Sequence, residues 1–401
     1  MATSGPGDFI PLCEPTLAGN EWAYIKDCLD TNWVSSVGAY VDRFENMVAE
    51  AAGARHAVAV VNGTAALHLA LQVAGVGADD EVLTSTLTFI ATANAIRYTG
   101  AVPVLVDAES DTWQMDMGLV EAFLRDGCDR AADGAVVNRR SGRRVSAIVP
   151  VHIHGFPVDM DRLMALAAEF GLVVVEDATE ALGARFHGRA LGSFGRLGCY
   201  SFNGNKQITT GGGGMIVTDD PDLARRARHL STQAKAEAQE YIHDDLGYNY
   251  RLTNIQAAMG CAQMEKLDAF TAAKRRIAAT YSAAFAGYAG LTPQASLPGA
   301  EGNMWLYALR VDPSAAGVTA RGLIAALREV GIQARPVWQP MHLSPVHAAS
   351  PVLGGAVAAR LFDEIISLPC SVSLTEVQQA RVIAVVDRVL KDKAPQPVVA
   401  G

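Results

Sequence analysis

From about residue 55, short runs rich in β-branched residues alternate with longer segments whose apolar residues recur at helical spacing. The predicted strands are residues 57–61, 82–85, 102–106, 147–151, 172–176, 199–202 and 215–218. Helices are predicted over residues 65–73, 91–98 and 160–170, with Gly75, Gly100 and Gly171 at their C-terminal ends. This alternation is typical of βαβ units. It predicts an α/β fold with a large, mostly parallel, doubly wound sheet.

The pattern changes after about Leu252, where an alanine-rich helical stretch begins and runs to Phe285. Strands are then predicted over residues 305–311 and 333–337, and helices over 320–330 and 375–390. We therefore predict two domains. Residues 1–252 form a large domain that includes the N-terminal segment, and residues 253–401 form a smaller C-terminal α/β domain.

The composition of the 401 residues excludes several classes of protein. Half of the residues are hydrophobic and 19% are charged, as in a compact globular protein. The net charge of −9 argues against a nucleic-acid partner. One basic cluster lies in a polar stretch that we interpret as a solvated loop: Arg139, Arg140, Arg143 and Arg144.

The six cysteines include no CxxC pair, so the sequence predicts neither a metal site nor a disulfide scaffold. Reduced thiols fit a cytoplasmic protein best. The N-terminus lacks the basic and apolar regions of an export signal, and no apolar stretch reaches membrane-spanning length. We expect a cytoplasmic protein with no membrane anchor.

Asn62, Gly63 and Thr64 stand between a predicted strand and the helix that follows it. Unpaired N–H groups at a helix N-terminus bind phosphate, glycine admits close approach, and the Thr64 hydroxyl adds a donor. The same residues also suit an ordinary turn followed by a helix cap. Taken alone, this segment leaves both interpretations open.

Asp177 follows a predicted strand directly, at the edge of the sheet where doubly wound proteins bind ligands. A carboxylate there can keep a pyridinium nitrogen protonated and so make the ring an electron sink, although a structural cap is an alternative. Lys206 stands five residues after Ser201 and shortly before four consecutive glycines. This setting suits a Schiff-base amine in a tight loop, whereas a lone lysine is more often a solvated surface charge.

A polar and aromatic segment, GYNYRLTN, follows near the predicted domain junction. Ligands commonly bind at such junctions, but aromatic packing alone would also explain the composition.

Taken together, these motifs resemble the DegT/DnrJ/StrS family of nucleotide-sugar aminotransferases. The resemblance extends from about Ile10 to Leu390. The stretches that carry it, in the family's order, are NGTAALHLAL, TLTFIATANAI, EDATEALGA, SFNGNK with TTGGGG, and GYNYRLTNIQAA.

The resemblance implies a fold-type-I enzyme that uses pyridoxal 5'-phosphate (PLP) and works as a homodimer with shared active sites. Lys206 matches the Schiff-base lysine, Asp177 the partner of the pyridine nitrogen, and Phe89 the aromatic ring stacked on the cofactor. The matching phosphate-binding positions are Gly63, Thr64 and Ser201, with Asn249 reaching the phosphate from the partner subunit.

Glu180 departs from the commonest family pattern, which has Gln or His near the phenolic oxygen of the cofactor. A carboxylate beside a phenolate is repulsive unless one of the two is protonated. We therefore hypothesise that Glu180 is held protonated or shares a proton with that oxygen.

Glu180, the SFNGNK form of the lysine motif, and the segments STQAK (231–235) and RPVW (335–338) together resemble one subgroup, the C4 aminotransferases of the legionaminic acid and bacillosamine pathways. Its members take nitrogen from glutamate, releasing 2-oxoglutarate, and act on a nucleotide-linked 4-keto-6-deoxy-N-acetylhexosamine, here expected to carry UDP. The resemblance implies a substrate site lined by Asn32, Trp33, Val34, Ser35, Arg335, Pro336, Val337 and Trp338, with His154 and His342 as further candidates.

Two other functions are weighed against this one. A sugar dehydratase of the same family typically replaces the lysine with His, and Lys206 argues against it. A catalytically silent protein could keep the fold, but it would be expected to have lost chemical residues that are present here. The sequence leaves open whether the nucleotide is UDP, GDP or dTDP.

Overall fold

The computed structural model of the protein describes residues 9–237 and 239–393. Its helices are α1 (Glu21–Asp30), α2 (Ala39–Ala52), α3 (Gly63–Val73), α4 (Ala91–Tyr98), α5 (Met117–Asp126), α6 (Met160–Phe170), α7 (Pro221–Ser231), α8 (Asn254–Met264), α9 (Leu267–Phe285), α10 (Pro313–Ala316), α11 (Ala320–Glu329), α12 (Ala356–Glu364) and α13 (Glu376–Lys393). Short 3-10 turns occupy Ile153–Gly155 and Met341–Leu343.

The strands are β1 (His56–Val60), β2 (Asp80–Ser85), β3 (Val102–Val106), β4 (Cys128–Arg130), β5 (Val136–Asn138), β6 (Arg144–Val149), β7 (Val173–Asp177), β8 (Arg185–Phe186), β9 (Arg189–Ala190), β10 (Leu197–Ser201), β11 (Gly214–Thr218), β12 (Lys235–Glu237), β13 (Ile242–His243), β14 (Leu291–Pro293), β15 (Ala300–Glu301), β16 (Tyr307–Val311), β17 (Arg335–Pro336), β18 (Val352–Leu353) and β19 (Ile365–Leu368).

The central sheet has the strand order β1-β11-β10-β7-β6-β2-β3-β18. Every neighbouring pair from β10 to β18 is parallel, whereas β11 runs antiparallel to both β1 and β10. This confirms the mostly parallel sheet of the predicted α/β fold. Because β7 and β10 are parallel neighbours, their carboxyl ends bring Asp177 and Ser201 to one edge of the sheet.

Helices cover both faces of this sheet. Along β1, Ala57 and Ala59 join one buried cluster with Phe44 of α2, while Val58 and Val60 join another with helix α3. This is the alternation of a strand buried on both sides. Packing on the first face is close, since a Cβ added at Gly260 of α8 would lie 2.6 Å from the Phe44 ring.

Most predicted elements are present, with bounds shifted by a few residues. Helices α4 and α6 begin and end where predicted, and Gly171 closes α6 in the left-handed conformation with φ 69°. The alanine-rich helical stretch predicted after Leu252 is present and ends at Phe285, but it is divided at Glu265 and Lys266 into α8 and α9. Of the basic cluster, Arg139, Arg140 and Arg143 lie in the turn between β5 and β6, whereas Arg144 begins β6 and pairs with Asp80 at 2.7 Å.

The C-terminal part has its own antiparallel sheet, in the order β14-β16-β19-β17. Its buried cluster includes Tyr281 of α9, Leu309 and Leu327. Ile10 joins that cluster and pairs with Ile332, so the N-terminal segment packs against the C-terminal part of the chain. Helix α8, by contrast, packs on α1 and α2. The domain boundary at residues 252 and 253 stays a prediction.

No helix within residues 9–237 and 239–393 is both long enough and apolar enough to cross a membrane.

Candidate active site

A cavity of about 310 Å³ opens at the carboxyl ends of β7 and β10. Seven of the residues predicted to bind the cofactor line it: Gly63, Thr64, Phe89, Asp177, Glu180, Ser201 and Lys206. They come from four segments of the chain that the sheet topology brings together. The edge of the sheet is thus the place where the predicted residues converge.

The N-terminus of α3 forms one wall of the cavity. Asn62 caps the helix, with its side-chain oxygen accepting from Ala65 N at 2.8 Å. The preceding amides, of Gly63 and Thr64, have no hydrogen-bond partner in the described part of the chain. A Cβ at Gly63 would lie 2.9 Å from Ser201 Cβ, so only glycine leaves this space free. The arrangement is a cradle for an anion.

Asp177 lies at the end of β7 and is buried, with 3% of its surface exposed. Its carboxylate accepts a 2.6 Å hydrogen bond from Thr92 Oγ1 and a 3.1 Å bond from Thr179 N. These two donors leave further acceptor capacity on a carboxylate that lines the cavity. Asp177 can therefore accept a hydrogen bond from a protonated ring nitrogen.

Lys206 extends into the same cavity from the loop after β10. Its Nζ atom lies 3.5 Å from Glu180 Oε1 and 4.1 Å from the centre of the Trp305 ring. Only 13% of the Lys206 side chain is exposed. A lysine so placed is the partly buried amine that Schiff-base chemistry requires.

Glu180 faces Lys206 and is itself held by the backbone, since Oε2 accepts from His154 N at 2.8 Å. Burial raises the pKa of Glu180 to about 7, although the charge of Lys206 opposes that shift. The side chain can therefore carry a proton at neutral pH, which supports the hypothesis made from its sequence position.

His154 lies behind Glu180 and is almost entirely buried. Its backbone is left-handed, with φ 58°, and Nδ1 lies 3.2 Å from Gln294 Oε1. Burial lowers the pKa of His154 to about 4, so the ring is neutral. We assign it a positioning role through its backbone N–H, which orients Glu180.

The predicted substrate residues are not all brought together. Only Trp338 lines this cavity, where its ring stacks on Trp305 with centres 6.1 Å apart. Trp33 lines a second cavity, of about 770 Å³, beside Tyr40 and Asn254. The residues that line neither cavity are Asn32, Val34, Ser35, Arg335, Pro336, Val337, His154 and His342. Their roles in substrate binding stay predictions.

Asn249 is exposed and lies outside the cavity, where its side-chain oxygen accepts from Gln233 Nε2 at 3.0 Å. Among the described residues, no hydrogen bond joins it to Gly63 or Thr64. This position is compatible with the predicted reach into a partner subunit, which stays a prediction.

Sequence reasoning missed Thr92 and Trp305, which are among the residues that line the cavity. Thr92 belongs to the TLTFIATANAI stretch, and its place one helical turn after Thr88 was the available signal. Trp305 offers no such signal, because it comes from a connection far along the chain. Its Nε1 donates to Asn205 O at 2.6 Å and so fixes the loop next to Lys206.

The sequence profile of the DegT/DnrJ/EryC1/StrS aminotransferase family matches residues 15–387. The chain belongs to this family. It is 40% identical to GDP-perosamine synthase of Caulobacter vibrioides over 383 residues, which cover 95% of this chain and 98% of that protein. The structure superposes on S. venezuelae DesV with a TM-score of 0.83 and 32% identity, covering 93% of this chain and 94% of DesV. It also superposes on DesI, which was solved in the presence of its TDP-sugar product, with a TM-score of 0.85 and 29% identity, covering 96% of this chain and 93% of DesI.

As a member of the DegT/DnrJ/EryC1/StrS family, the protein is a PLP-dependent nucleotide-sugar aminotransferase of fold type I. The residues present fit that cofactor. The cradle at Gly63 suits a phosphate group, the Asp177 carboxylate suits a ring nitrogen, and Lys206 supplies the amine. Within the described ranges, no group of three or more His, Cys, Asp or Glu residues could hold a metal ion.

Proposed function

We propose that the protein transfers an amino group from glutamate to C4 of a nucleotide-linked 4-keto-6-deoxy-N-acetylhexosamine, with UDP as the nucleotide. The product would serve bacterial surface-glycan or nonulosonic acid biosynthesis. The observation that carries the proposal is that Lys206 and Asp177 line one cavity together with the anion cradle at Gly63. The choice of sugar rests on the subgroup resemblance of the sequence.

When bound, PLP supplies an electron sink that stabilises negative charge on the carbon next to the transferred nitrogen. The Asp177 carboxylate would keep the ring nitrogen protonated. Thr92 Oγ1 holds this carboxylate in place through a 2.6 Å hydrogen bond to Oδ2. Gly63, Thr64 and Ser201 would bind the phosphate, and Phe89, which is half exposed, would cover the ring face.

Lys206 acts as the general acid and base in this proposal. Its amine moves a proton at the carbon that loses or gains nitrogen, first for glutamate and then, in reverse, for the ketosugar. Glu180 lies 3.5 Å away, and its pKa of about 7 lets it hold or release a proton near neutral pH. A neutral Glu180 would also form no ion pair with Lys206, so the Lys206 amine would be free to move within the cavity.

The rings of Trp305 and Trp338 are nearly parallel, with an angle of 5° between their planes, and both residues line the cavity. Such aromatic faces pack against the apolar face of a sugar and exclude water from it. We propose that they bind the hexose near Lys206. Trp338 is the member of this pair that sequence reasoning had placed at the substrate.

A second candidate is a GDP-linked ketosugar. It is favoured by the 40% identity to a protein named GDP-perosamine synthase, which extends over 95% of the present chain. The structurally similar DesI was solved in the presence of its TDP-sugar product, so the nucleotides named for proteins similar to this chain differ. A dTDP-linked ketosugar is therefore the third substrate to be tested.

The test is to incubate the holoenzyme and glutamate with UDP-, GDP- and dTDP-linked 4-keto-6-deoxysugars, with and without an N-acetyl group. The aminated product is identified by mass and its C4 configuration by NMR. We expect amination of the UDP-linked N-acetylhexosamine to be fastest. Faster amination of the GDP-linked sugar would support the second candidate, and no amination at all would refute the proposed reaction.

We further propose that the active protein is a homodimer in which Asn249 completes the partner's phosphate site. The exposed position of Asn249, outside its own cavity, supports this arrangement.

A further inference from the structure

A second group of reactive side chains lies behind the cavity, outside the residues assigned to amino transfer. It consists of Cys13, Cys370 and Lys274, which we call the thiol cluster. Cys370 N donates to Leu12 O at 2.8 Å, so the N-terminal segment runs directly beside Cys370. The two cysteines are free thiols, of which Cys370 is buried and Cys13 is partly exposed.

Lys274 is buried, and its ammonium group lies at the centre of the cluster. Nζ donates to Trp305 O at 2.9 Å and to Cys370 O at 3.0 Å, and it lies 3.5 Å from Cys13 Sγ. No carboxylate within residues 9–237 and 239–393 forms an ion pair with it. A buried ammonium requires a nearby negative charge, and a Cys13 thiolate is placed to supply one.

The two thiols differ in acidity. Lys274 Nζ lies 3.5 Å from Cys13 Sγ and 4.0 Å from Cys370 Sγ, so both sulfurs face one ammonium group. The neighbouring Cys370 thiol, together with the positive charge of Lys274, lowers the pKa of Cys13 to about 6. The interaction with Cys13, together with burial, raises the pKa of Cys370 well above its ordinary value. Cys13 is therefore the nucleophile of the pair, and Cys370 keeps its proton.

We propose that Cys13 and Cys370 form a peroxide-sensitive modification site, with Cys13 as the attacking thiolate and Cys370 as the resolving thiol. The Cys13 sulfur attacks one oxygen of hydrogen peroxide, the O–O bond breaks, hydroxide leaves, and Cys13 becomes a sulfenic acid. The Cys370 sulfur then attacks the Cys13 sulfur, the S–O bond breaks, and water leaves with the Cys370 proton. Two electrons pass from the cysteines to the peroxide, and one disulfide forms.

The thiol cluster contacts the backbone that positions Lys206. Cys13 Sγ lies 3.3 Å from Asn205 O, the carbonyl to which Trp305 Nε1 also donates at 2.6 Å. Cys370 Sγ lies 3.3 Å from Trp305 O. The disulfide would remove the negative charge beside Lys274 and the S–H donor of Cys370 near Trp305 O. We therefore expect oxidation to lower amino transfer, an effect that rests on the proposed function, whereas the oxidation chemistry does not.

The experiment treats the holoenzyme with hydrogen peroxide, blocks the remaining thiols and digests the protein without reductant. In the wild type we expect one cross-linked peptide pair, joining Cys13 to Cys370 with the loss of two hydrogens. Cys370→Ser should stop at a Cys13 sulfenic acid, which a dimedone probe traps. Cys28→Ser and Cys261→Ser are matched controls, because they remove other buried thiols, and they should cross-link as the wild type does.

The pH dependence of Cys13 alkylation gives a readout that does not require the cross-link. The midpoint should lie near the pKa of about 6. In Lys274→Met it should move towards the ordinary thiol value of about 8.5, and Cys13 should then react roughly tenfold more slowly at pH 7.

The modification site would be refuted if Cys28 or Cys261 oxidised as fast as Cys13, if no link to Cys370 formed, or if Cys13 joined Lys274 instead. A midpoint near 8.5 in the wild type would refute the role of Lys274. A cross-link with unchanged amino transfer would refute the effect on Lys206. If the enzyme shows no amino transfer before peroxide treatment, only the proposed function is contradicted, because the cross-link is detected by mass spectrometry and does not depend on activity.

Discussion

Thr92 Oγ1 donates a 2.6 Å hydrogen bond to Asp177 Oδ2, so a helix on one side of the cavity fixes the carboxylate at the end of β7. A hydrogen bond to a charged group contributes about 1.5–3 kcal/mol. Thr92→Val should therefore lower kcat roughly tenfold or more, with a smaller change in the KM of the nucleotide sugar. Steady-state kinetics would measure both constants.

Thr92→Ser is the matched control, because it keeps the hydroxyl and removes only a methyl group. It should restore most of the lost kcat. If Thr92→Val were as active as the wild type, Thr92 would have no positioning role towards Asp177.

Lys206→Ala should fold and bind PLP without covalent attachment, because the cradle at Gly63 and the Asp177 carboxylate remain in place. Borohydride should then fix the cofactor to the wild type but not to the variant, and turnover should be lost. The mass of the reduced protein reports attachment, and an amino-transfer assay reports turnover. Lys26→Ala, which removes an exposed lysine paired with Asp30, should behave as the wild type in both measurements. Cofactor fixed to Lys206→Ala would contradict the assignment.

Gly63→Ala should weaken PLP binding at least tenfold, because the added Cβ would stand 2.9 Å from Ser201 Cβ and 3.2 Å from Ser201 Oγ. The fold should persist, since the collision is with side chains at the cavity. Gly204→Ala is the control from the same region, because a Cβ there meets nothing within 4 Å. Equilibrium titration of the apoprotein with PLP measures both affinities, and equal affinities would show that the space at Gly63 does not hold the phosphate.

The large sheet and the cofactor side of the cavity could be predicted because both depend on local patterns. A buried run such as LVVVE predicts a strand, and Asp177, which follows it directly, must then lie at the ligand-binding edge. Strand β10 ends at Ser201, and the loop after it brings Lys206 to the same edge by the same rule. Motif spacing was thus sufficient for the residues that follow strand ends.

The rest depends on contacts between distant segments, which leave no local pattern. Trp305 lies beside Lys206 and donates its indole N–H to Asn205 O, a contact between segments about 100 residues apart. Strand β18 has two residues and joins the sheet beside β3, although nothing in its sequence predicts a strand. The break between α8 and α9 occurs without glycine or proline, so helical periodicity could not reveal it. The substrate residues around Asn32 and Arg335 belong to this category, and a complex with a nucleotide sugar would test them.

Glu180→Gln should change how stability depends on pH. Burial raises the pKa of Glu180 from its ordinary value near 4.5 to about 7, so the folded apoprotein binds more protons than the unfolded chain between these values. Stability contributed by neutral Glu180 is therefore lost as pH rises through that window. The variant cannot ionise at this position. Relative to the wild type, its free energy of unfolding should therefore rise by up to about 3 kcal/mol between pH 5 and pH 8.

Thermal unfolding of both apoproteins across this pH range measures the difference. A constant difference in Tm would show that Glu180 does not titrate there. In the holoenzymes, the absorbance of the bound cofactor should titrate at different pH values in the wild type and Glu180→Gln. Superimposable curves would contradict a proton held between Glu180 and the cofactor.

Asn249→Ala should weaken cofactor retention without loss of the fold, because Asn249 is exposed and its side chain accepts only from Gln233 among the described residues. The effect should appear only in the assembled dimer, since Asn249 lies outside its own cavity. Dialysis followed by absorbance measures the PLP that remains, and light scattering measures the mass of the particle. Asn46→Ala, an exposed asparagine on α2, should retain PLP as the wild type does. A stable monomer with full activity would contradict the shared site, because no partner would then be available to receive Asn249.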